Sequence, residues 1–205
     1  MDTHVRMINP NQVTNFDRTP AEMEEFLLFA IIVAGKGAFQ QAKKLEEFLA
    51  PIHRTEVINN PFLNWTPFAY IRHLDKEGKL DEALRSVKMG QYNRIGSAFR
   101  AVATFFGVSS NVTLSIRLLE CIKGVGMKTA RFYFMHSLPN QNFACLDTHI
   151  LKWLGEKGHQ VPKTTPTGQK YLDLEKIFLA YCKEMNMLPA DLDLSIWNSV
   201  HPKKD

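Results

Sequence analysis

Leu119-Glu120-Cys121-Ile122-Lys123-Gly124-Val125-Gly126-Met127-Lys128-Thr129-Ala130, followed downstream by Leu146-Asp147-Thr148-His149-Ile150, is the stretch whose reading decides the fold. An apolar helical run ends at Gly124, Val125 and Gly126, and a second helix opens at once with Lys128 in its first turn. Two glycines around one apolar residue let the backbone turn sharply and approach another molecule without a Cβ in the way. The amides at the start of the second helix lack intrahelical partners, and with the helix dipole they favour an anion. A backbone phosphate of DNA fits that description.

Gly-Val-Gly between two helices is by itself a common tight turn. The residues around it carry more. Leu119, Ile122, Val125, Ala130 and Phe134 fall at the spacing of two helices packed across a short hairpin, with small Ala130 where they would cross closely. Lys128 is not needed for such a turn. Asp147 follows it by nineteen residues and heads the apolar segment Thr148-His149-Ile150-Leu151-Lys152-Trp153-Leu154. It is well placed to N-cap a helix, whether or not it also does chemistry.

At these residues the sequence resembles the helix-hairpin-helix DNA glycosylase superfamily, which contains endonuclease III and the 8-oxoguanine glycosylases. Bifunctional members pair a Gly-Val-Gly-x-Lys hairpin with a Val-Asp-x-His-like segment; here these are Gly124–Lys128 and Leu146–His149. Val161-Pro162-Lys163-Thr164, the helix from Tyr171, and Asp191–Trp197 are similar to the C-terminal part of the small archaeal-type 8-oxoguanine glycosylases. Ala34-Gly35-Lys36-Gly37 is similar to a segment of another archaeal group.

The resemblance implies an all-α fold of two helical lobes with a helix-hairpin-helix and an active-site cleft between them. Residues 19–140 would form the bundle carrying the hairpin. Residues 1–18 with 141–205 would form the second lobe, so that Lys128 and Asp147 face each other across the cleft. It also implies a bifunctional glycosylase/AP lyase of base excision repair that flips out 8-oxoguanine, because a glycosidic carbon inside a duplex cannot be attacked in line. Lys128 would attack C1′ and form a Schiff base, and β-elimination at the abasic site would cut the strand. Asp147 would stabilise positive character at C1′. A desolvated site at a helix start would lower the barrier to a neutral Lys128 amine.

Further roles follow from the same resemblance. Gly124, Val125, Gly126 and Lys123 would hold the DNA backbone; Phe132, one turn after Lys128, with Asp193 and Trp197 would form the base pocket. Lys36, Lys152 and Arg131 join Lys123 as candidates for phosphate contacts. Endonuclease III-like enzymes fill the gap left by the flipped base with a Gln or Asn after the first bundle helix. Ala34–Gly37 offers no long amide, and Gln40, Gln91 and Tyr92 are the alternatives. The expected partner is double-stranded DNA containing a damaged base, bound by a monomer without a membrane. No cofactor is expected beyond a monovalent or divalent cation at the hairpin carbonyls.

Composition agrees with this picture. The 205 residues are 45% apolar, enough for a real core, and 25 basic against 21 acidic residues permit a polyanionic partner. No apolar stretch is long enough to span a membrane, and Met1-Asp2-Thr3-His4 is not a signal-peptide start, so an intracellular, DNA-associated protein is expected, in cytoplasm or nucleoid if prokaryotic and in the nucleus if eukaryotic. Cys121, Cys145 and Cys182 give neither a disulfide framework nor the four-cysteine iron–sulfur loop of many endonuclease III relatives. The seven histidines show no metal spacing and read as surface or capping residues.

Along the chain, Thr19-Pro20-Ala21-Glu22 is a capping box leading into Phe26–Val33, and later periodic runs predict helices to the C-terminus with no strand. The first eighteen residues read as disordered. Two other readings stay open on sequence: a non-catalytic helix-hairpin-helix DNA-binding module, which has no use for both Lys128 and Asp147, and a monofunctional glycosylase for alkylated or mismatched bases, which usually lacks the lysine.

Overall fold

The computed structural model describes residues 8–53, 61, 62, 65–106 and 114–201. Among these it holds ten α-helices and no strand: α1 (Pro20–Ile32), α2 (Ala38–His53), α3 (Pro67–Lys76), α4 (Leu80–Ser86), α5 (Tyr92–Phe105), α6 (Ile116–Glu120), α7 (Met127–Ser137), α8 (Thr148–Glu156), α9 (Gly168–Glu184) and α10 (Pro189–Val200). The chain divides into two compact units, one of Met1–Pro10 with Arg18–Gly126 and the other of Asn11–Asp17 with Met127–Asp205. The chain therefore passes from one unit to the other at the end of the glycine turn. Helix α7, read from sequence with the hairpin bundle, groups with the C-terminal helices.

The first unit is built around α1. Thr19 accepts a hydrogen bond from the Glu22 amide while the Glu22 carboxylate accepts one from the Thr19 amide, so the helix start is closed reciprocally. Residues Glu24 to Ile32 are buried all round, as expected of a central helix surrounded by others. Helices α2, α3 and α5 pack on it. Pro51 does not end α2, which continues to His53.

In the second unit α7, α8 and α9 each pack against α10. Its core includes Leu146, Ile150, Leu154, Phe178 and Leu192, with Tyr171 fully buried among them. The N-terminal segment departs from the sequence expectation. Pro10–Gln12 form a 3-10 turn, and Asn11 and Val13 are buried. Asn11 holds α10 through two contacts: the Trp197 indole N–H donates to Asn11 Oδ1 at 3.1 Å, and the Asn198 amide donates to the Asn11 carbonyl at 3.4 Å. The Asn15 backbone N–H also donates a hydrogen bond to the His136 carbonyl at 3.1 Å. These long-range bonds order a stretch whose local composition suggests disorder. Residues 1–7 and 202–205 lie outside the described residues.

Candidate active site

The glycine turn is shaped from within the first unit. Helix α6 stops at Glu120, earlier than the apolar run suggests, and Ile122 and Val125 close the turn by bonding to the Leu119 and Ile122 carbonyls. Gly124 has φ +95, and a Cβ there would meet the Arg94 carbonyl oxygen at 2.9 Å and the Arg94 side chain at 3.1 Å. Only glycine fits this conformation and this contact. Arg94 then locks the turn, donating to the Gly124 carbonyl at 2.9 Å and to the Ile31 carbonyl at 3.0 Å. Val125 is buried. Gly126 has open space where a Cβ would go, and it and Lys123 are exposed. The chain's own packing does not require Gly126 to be glycine.

Lys128 and Asp147 both belong to the second unit. Lys128 is the second residue of α7 and is half-buried. Its Nζ lies 5.4 Å from the Phe132 ring centroid, and Phe132 makes an edge contact with His136 at 4.9 Å. Lys128, Phe132 and His136 are four residues apart, so they share one face of α7. Asp147 is the N-cap of α8, its Oδ1 accepting from the His149 amide at 2.8 Å and the Ile150 amide at 2.9 Å. Both cap bonds fall on one oxygen, which leaves Oδ2 outside the cap.

The short connection before Asp147 is held by side chains. The Tyr171 hydroxyl donates to the Ala144 carbonyl at 2.6 Å and accepts from the Leu146 amide at 3.1 Å. Glu175 Oε1 accepts from the Ala144 amide at 2.9 Å and from Arg131 Nε at 2.8 Å. The Thr165 hydroxyl donates to the Leu146 carbonyl at 2.9 Å. Arg131 is thus a buried structural cation one turn after Lys128, which removes it from the phosphate contacts expected from sequence. Lys36 is engaged as well, its Nζ donating to the Met89 carbonyl at 2.6 Å, and exposed Lys152 pairs loosely with Glu156 at 3.8 Å.

The charges around Lys128 correct a second expectation. Desolvation pulls its amine down, but Cys145, Asp147 and Asp193 raise it by more, so the ammonium is held above the usual lysine range. Burial pushes the Cys145 thiol well up, so at neutral pH it stays a thiol and the carboxylates supply the negative charge. Asp147 and Asp193 thus supply the negative charge that acts on the Lys128 ammonium.

Asp193 is buried, and its Oδ2 lies 3.1 Å from His136 Nε2. His136 Nδ1 lies 2.8 Å from the Thr14 hydroxyl oxygen. An Nε2–H tautomer donating to Asp193 and accepting from Thr14 satisfies both contacts. His136 is fully buried, contrary to its reading as a surface residue. Its position two turns after Lys128 on the same helix face was the available signal. Tyr171 and Glu175 had none, because their partners lie far away in sequence.

Trp197 is part-buried in an aromatic group with His149, edge-on at 5.1 Å, and His201, tilted at 4.2 Å. Its indole N–H is committed to Asn11. Among the gap-filling alternatives, Gln40 and Gln91 are exposed, Gln91 sits at φ 45 before α5, and Tyr92 carries the Arg85 guanidinium over its ring at 4.6 Å.

A glycine-turn hairpin leading into a lysine, with an N-capping Asp beside that lysine, defines a class. Residues 103–187 match the 8-oxoguanine DNA glycosylase helix-hairpin-helix family model. Within that class the similar curated proteins are 8-oxoguanine DNA glycosylase/AP lyases. That of Thermoplasma volcanium is 41% identical over 80 residues, 39% of this chain and 38% of the relative, and that of Picrophilus torridus is 34% identical over the same length. The aligned stretch thus spans well under half of each relative. The fold extends further: the 8-oxoguanine glycosylase/lyase of Methanocaldococcus jannaschii, solved with a 15mer DNA containing 8-oxoguanine, superposes with TM-score 0.65 at 22% identity over 95% of this chain and 88% of that one. The 8-oxoguanine DNA glycosylase of Thermotoga maritima gives TM-score 0.64 at 20% identity over 96% and 88%.

Proposed function

We propose that the protein is a bifunctional DNA glycosylase/AP lyase that excises 8-oxoguanine from duplex DNA. The observation that carries the reading is the single cluster of Lys128, Asp147 and Asp193 in one unit, with Phe132 and His136 on the lysine's own helix face. A DNA-binding module has no use for a half-buried lysine held among carboxylates, and burying such charges without a task is costly. Once neutral, the Lys128 amine attacks C1′, the base leaves, and the opened sugar forms an imine with Nζ. Loss of a C2′ proton then expels the 3′-phosphate. Asp147 opposes the positive charge that grows at C1′, with Oδ2 in reserve while Oδ1 caps α8.

The backbone is gripped by the glycine turn through Gly126 and the exposed Lys123. The amides that open α7 are by themselves an anion site of the helix-terminus kind. Phe132 supplies a face for the flipped base, and Trp197 an aromatic surface whose N–H is spent on Asn11. The protein acts as a monomer wherever its DNA is kept, with no cofactor in the chemistry. A monovalent or divalent cation at the hairpin carbonyls would only support the phosphate grip, and there the Gly124 oxygen already has the Arg94 guanidinium. Among the described residues no helix is long and apolar enough to cross a membrane.

The test is borohydride trapping with the full-length protein on an 8-oxoguanine duplex and on the matched undamaged duplex. A covalent complex on the damaged duplex alone is expected. Base release without trapping would make the enzyme monofunctional, and neither would refute the reading.

A further inference from the structure

Within the second unit, residues 11–15 bond to both helices that carry its candidate base-stacking rings. On α10, the Trp197 indole N–H donates to Asn11 Oδ1 at 3.1 Å, and the Asn198 side chain donates to the Asn11 carbonyl at 3.4 Å. On α7, the Thr14 hydroxyl meets His136 Nδ1 at 2.8 Å, and the Asn15 backbone N–H donates to the His136 carbonyl. His136 in turn meets the Phe132 ring edge-on at 4.9 Å. Trp197 stands beside the residue that caps α8. Its ring meets His149 at 5.1 Å, and the His149 amide donates to Asp147 Oδ1 at 2.8 Å.

Buried Val13 gives this arm an apolar anchor, but an anchor does not call for a buried amide aimed at an indole. Asn11 is 6% exposed, and its side-chain oxygen accepts from the ring nitrogen itself. Tryptophan has two side-chain torsions, and a bond at the indole nitrogen fixes both.

We infer that Asn11 is a positioning residue of the base pocket, holding the Trp197 ring in its stacking orientation before DNA arrives, while Thr14 backs Phe132 through His136. The inference rests on the reading of Trp197 as a face for the flipped base. Asn11 acts through Trp197 and takes no part in bond breaking. A ring that is already held loses no freedom on binding, so its stacking on the base is not offset by ordering it.

Asn11→Ala removes the acceptor but keeps the Asn11 carbonyl bond to Asn198 and the Thr14 and Asn15 bonds, so the arm stays attached. The full-length wild type, Asn11→Ala, Trp197→Phe and the double variant are compared for affinity to an 8-oxoguanine duplex and to the matched undamaged duplex. Asn11→Ala is expected to weaken binding of the damaged duplex about fivefold, the worth of one hydrogen bond, and to leave the undamaged duplex unchanged. In the Trp197→Phe background, where the ring has no N–H to hold, Asn11→Ala should make no further difference.

Equal weakening on both duplexes, an equal loss in the Trp197→Phe background, or no loss would overturn the inference and leave Asn11 a structural anchor. If Asn11→Ala does not fold, hydrogen exchange in the wild type decides. The three tryptophans give three indole N–H signals, and the one missing in Trp197→Phe belongs to Trp197. Slow exchange of that proton in the free enzyme is expected, and fast exchange would overturn the inference. Trp197→Ala separates the two levels. If it binds and excises like the wild type, the base-face reading has failed and the inference with it; if it loses the damaged duplex and Asn11→Ala does not, only the role of Asn11 has failed.

Discussion

Arg131 on α7 and Glu175 on α9 form a buried pair at 2.8 Å, and the same Glu175 oxygen holds the Ala144 amide at 2.9 Å. This one carboxylate couples the helix that carries Lys128 to the strand-like connection that delivers Asp147. Neither residue belongs to the proposed chemistry, yet the pair ties α7 to the connection before α8. Cation–ring contacts of Arg131 with Tyr171 at 4.8 Å and Phe143 at 5.7 Å extend the clamp.

Replacing Glu175 with Ala leaves the buried guanidinium uncompensated and frees the Ala144 amide. A stability loss of about 3–5 kcal/mol is expected. Denaturant unfolding measures it, and a loss below about 1 kcal/mol would mean that the pair is not structural. At temperatures where the variant remains folded, single-turnover excision should still be depressed.

The two glycines of the turn should respond oppositely. Gly124→Ala forces a Cβ against the Arg94 carbonyl at positive φ and is expected to destabilise by about 1–3 kcal/mol. Gly126→Leu has open space and should change melting little, within about 0.5 kcal/mol. It should weaken binding to damaged and undamaged duplexes alike, because backbone phosphates carry no base information. A binding loss confined to damaged DNA would remove the phosphate-anchor role.

Asp147 has two jobs that Asn separates. The cap uses Oδ1 alone, and Asn caps comparably, so Asp147→Asn should stay within about 0.5 kcal/mol of the wild type in stability. Without the charge, excision should fall by about two orders of magnitude or more. Excision at the wild-type rate by a stable Asn variant would reduce Asp147 to a cap.

The legible part of this molecule is local. The capping box at Thr19, the glycine turn and the Asp147 cap depend on neighbours within a turn or two, and each stands where the sequence placed it, while the helical runs exist as expected with some ends moved, as at Glu120. What sequence hid is nonlocal. Asn11 orders the N-terminal arm through Trp197 and Asn198, 186 and 187 residues away. Arg131 reads as a surface cation until Glu175 arrives from 44 residues downstream. The direction of the Lys128 shift was missed for the same reason: desolvation can be guessed from a helix start, but Asp193 reaches the site only through the packing of α10.

Glu25 gives a pH test away from the chemistry. Desolvation, with smaller help from Glu22 and Glu46, raises its pKa from 4.5 to about 7. The fold thus favours the neutral acid, and stability is lost as pH rises from 4.5 toward 7, where the unfolded chain ionises first. Glu25→Gln should match the wild type near pH 4 and exceed it by about 3 kcal/mol above pH 7.5. A constant difference across that range in denaturant titrations would contradict the assigned shift.

The central claim is that the Lys128 amine forms the covalent bond to the sugar. Its most direct test is peptide mapping by mass spectrometry of the borohydride-trapped complex formed on an 8-oxoguanine duplex. The reduced sugar adduct is expected on Lys128 alone, and Lys128→Gln, still binding the duplex, should yield no adduct. An adduct on another amine, such as Lys123, or trapping that survives Lys128→Gln, would contradict the account.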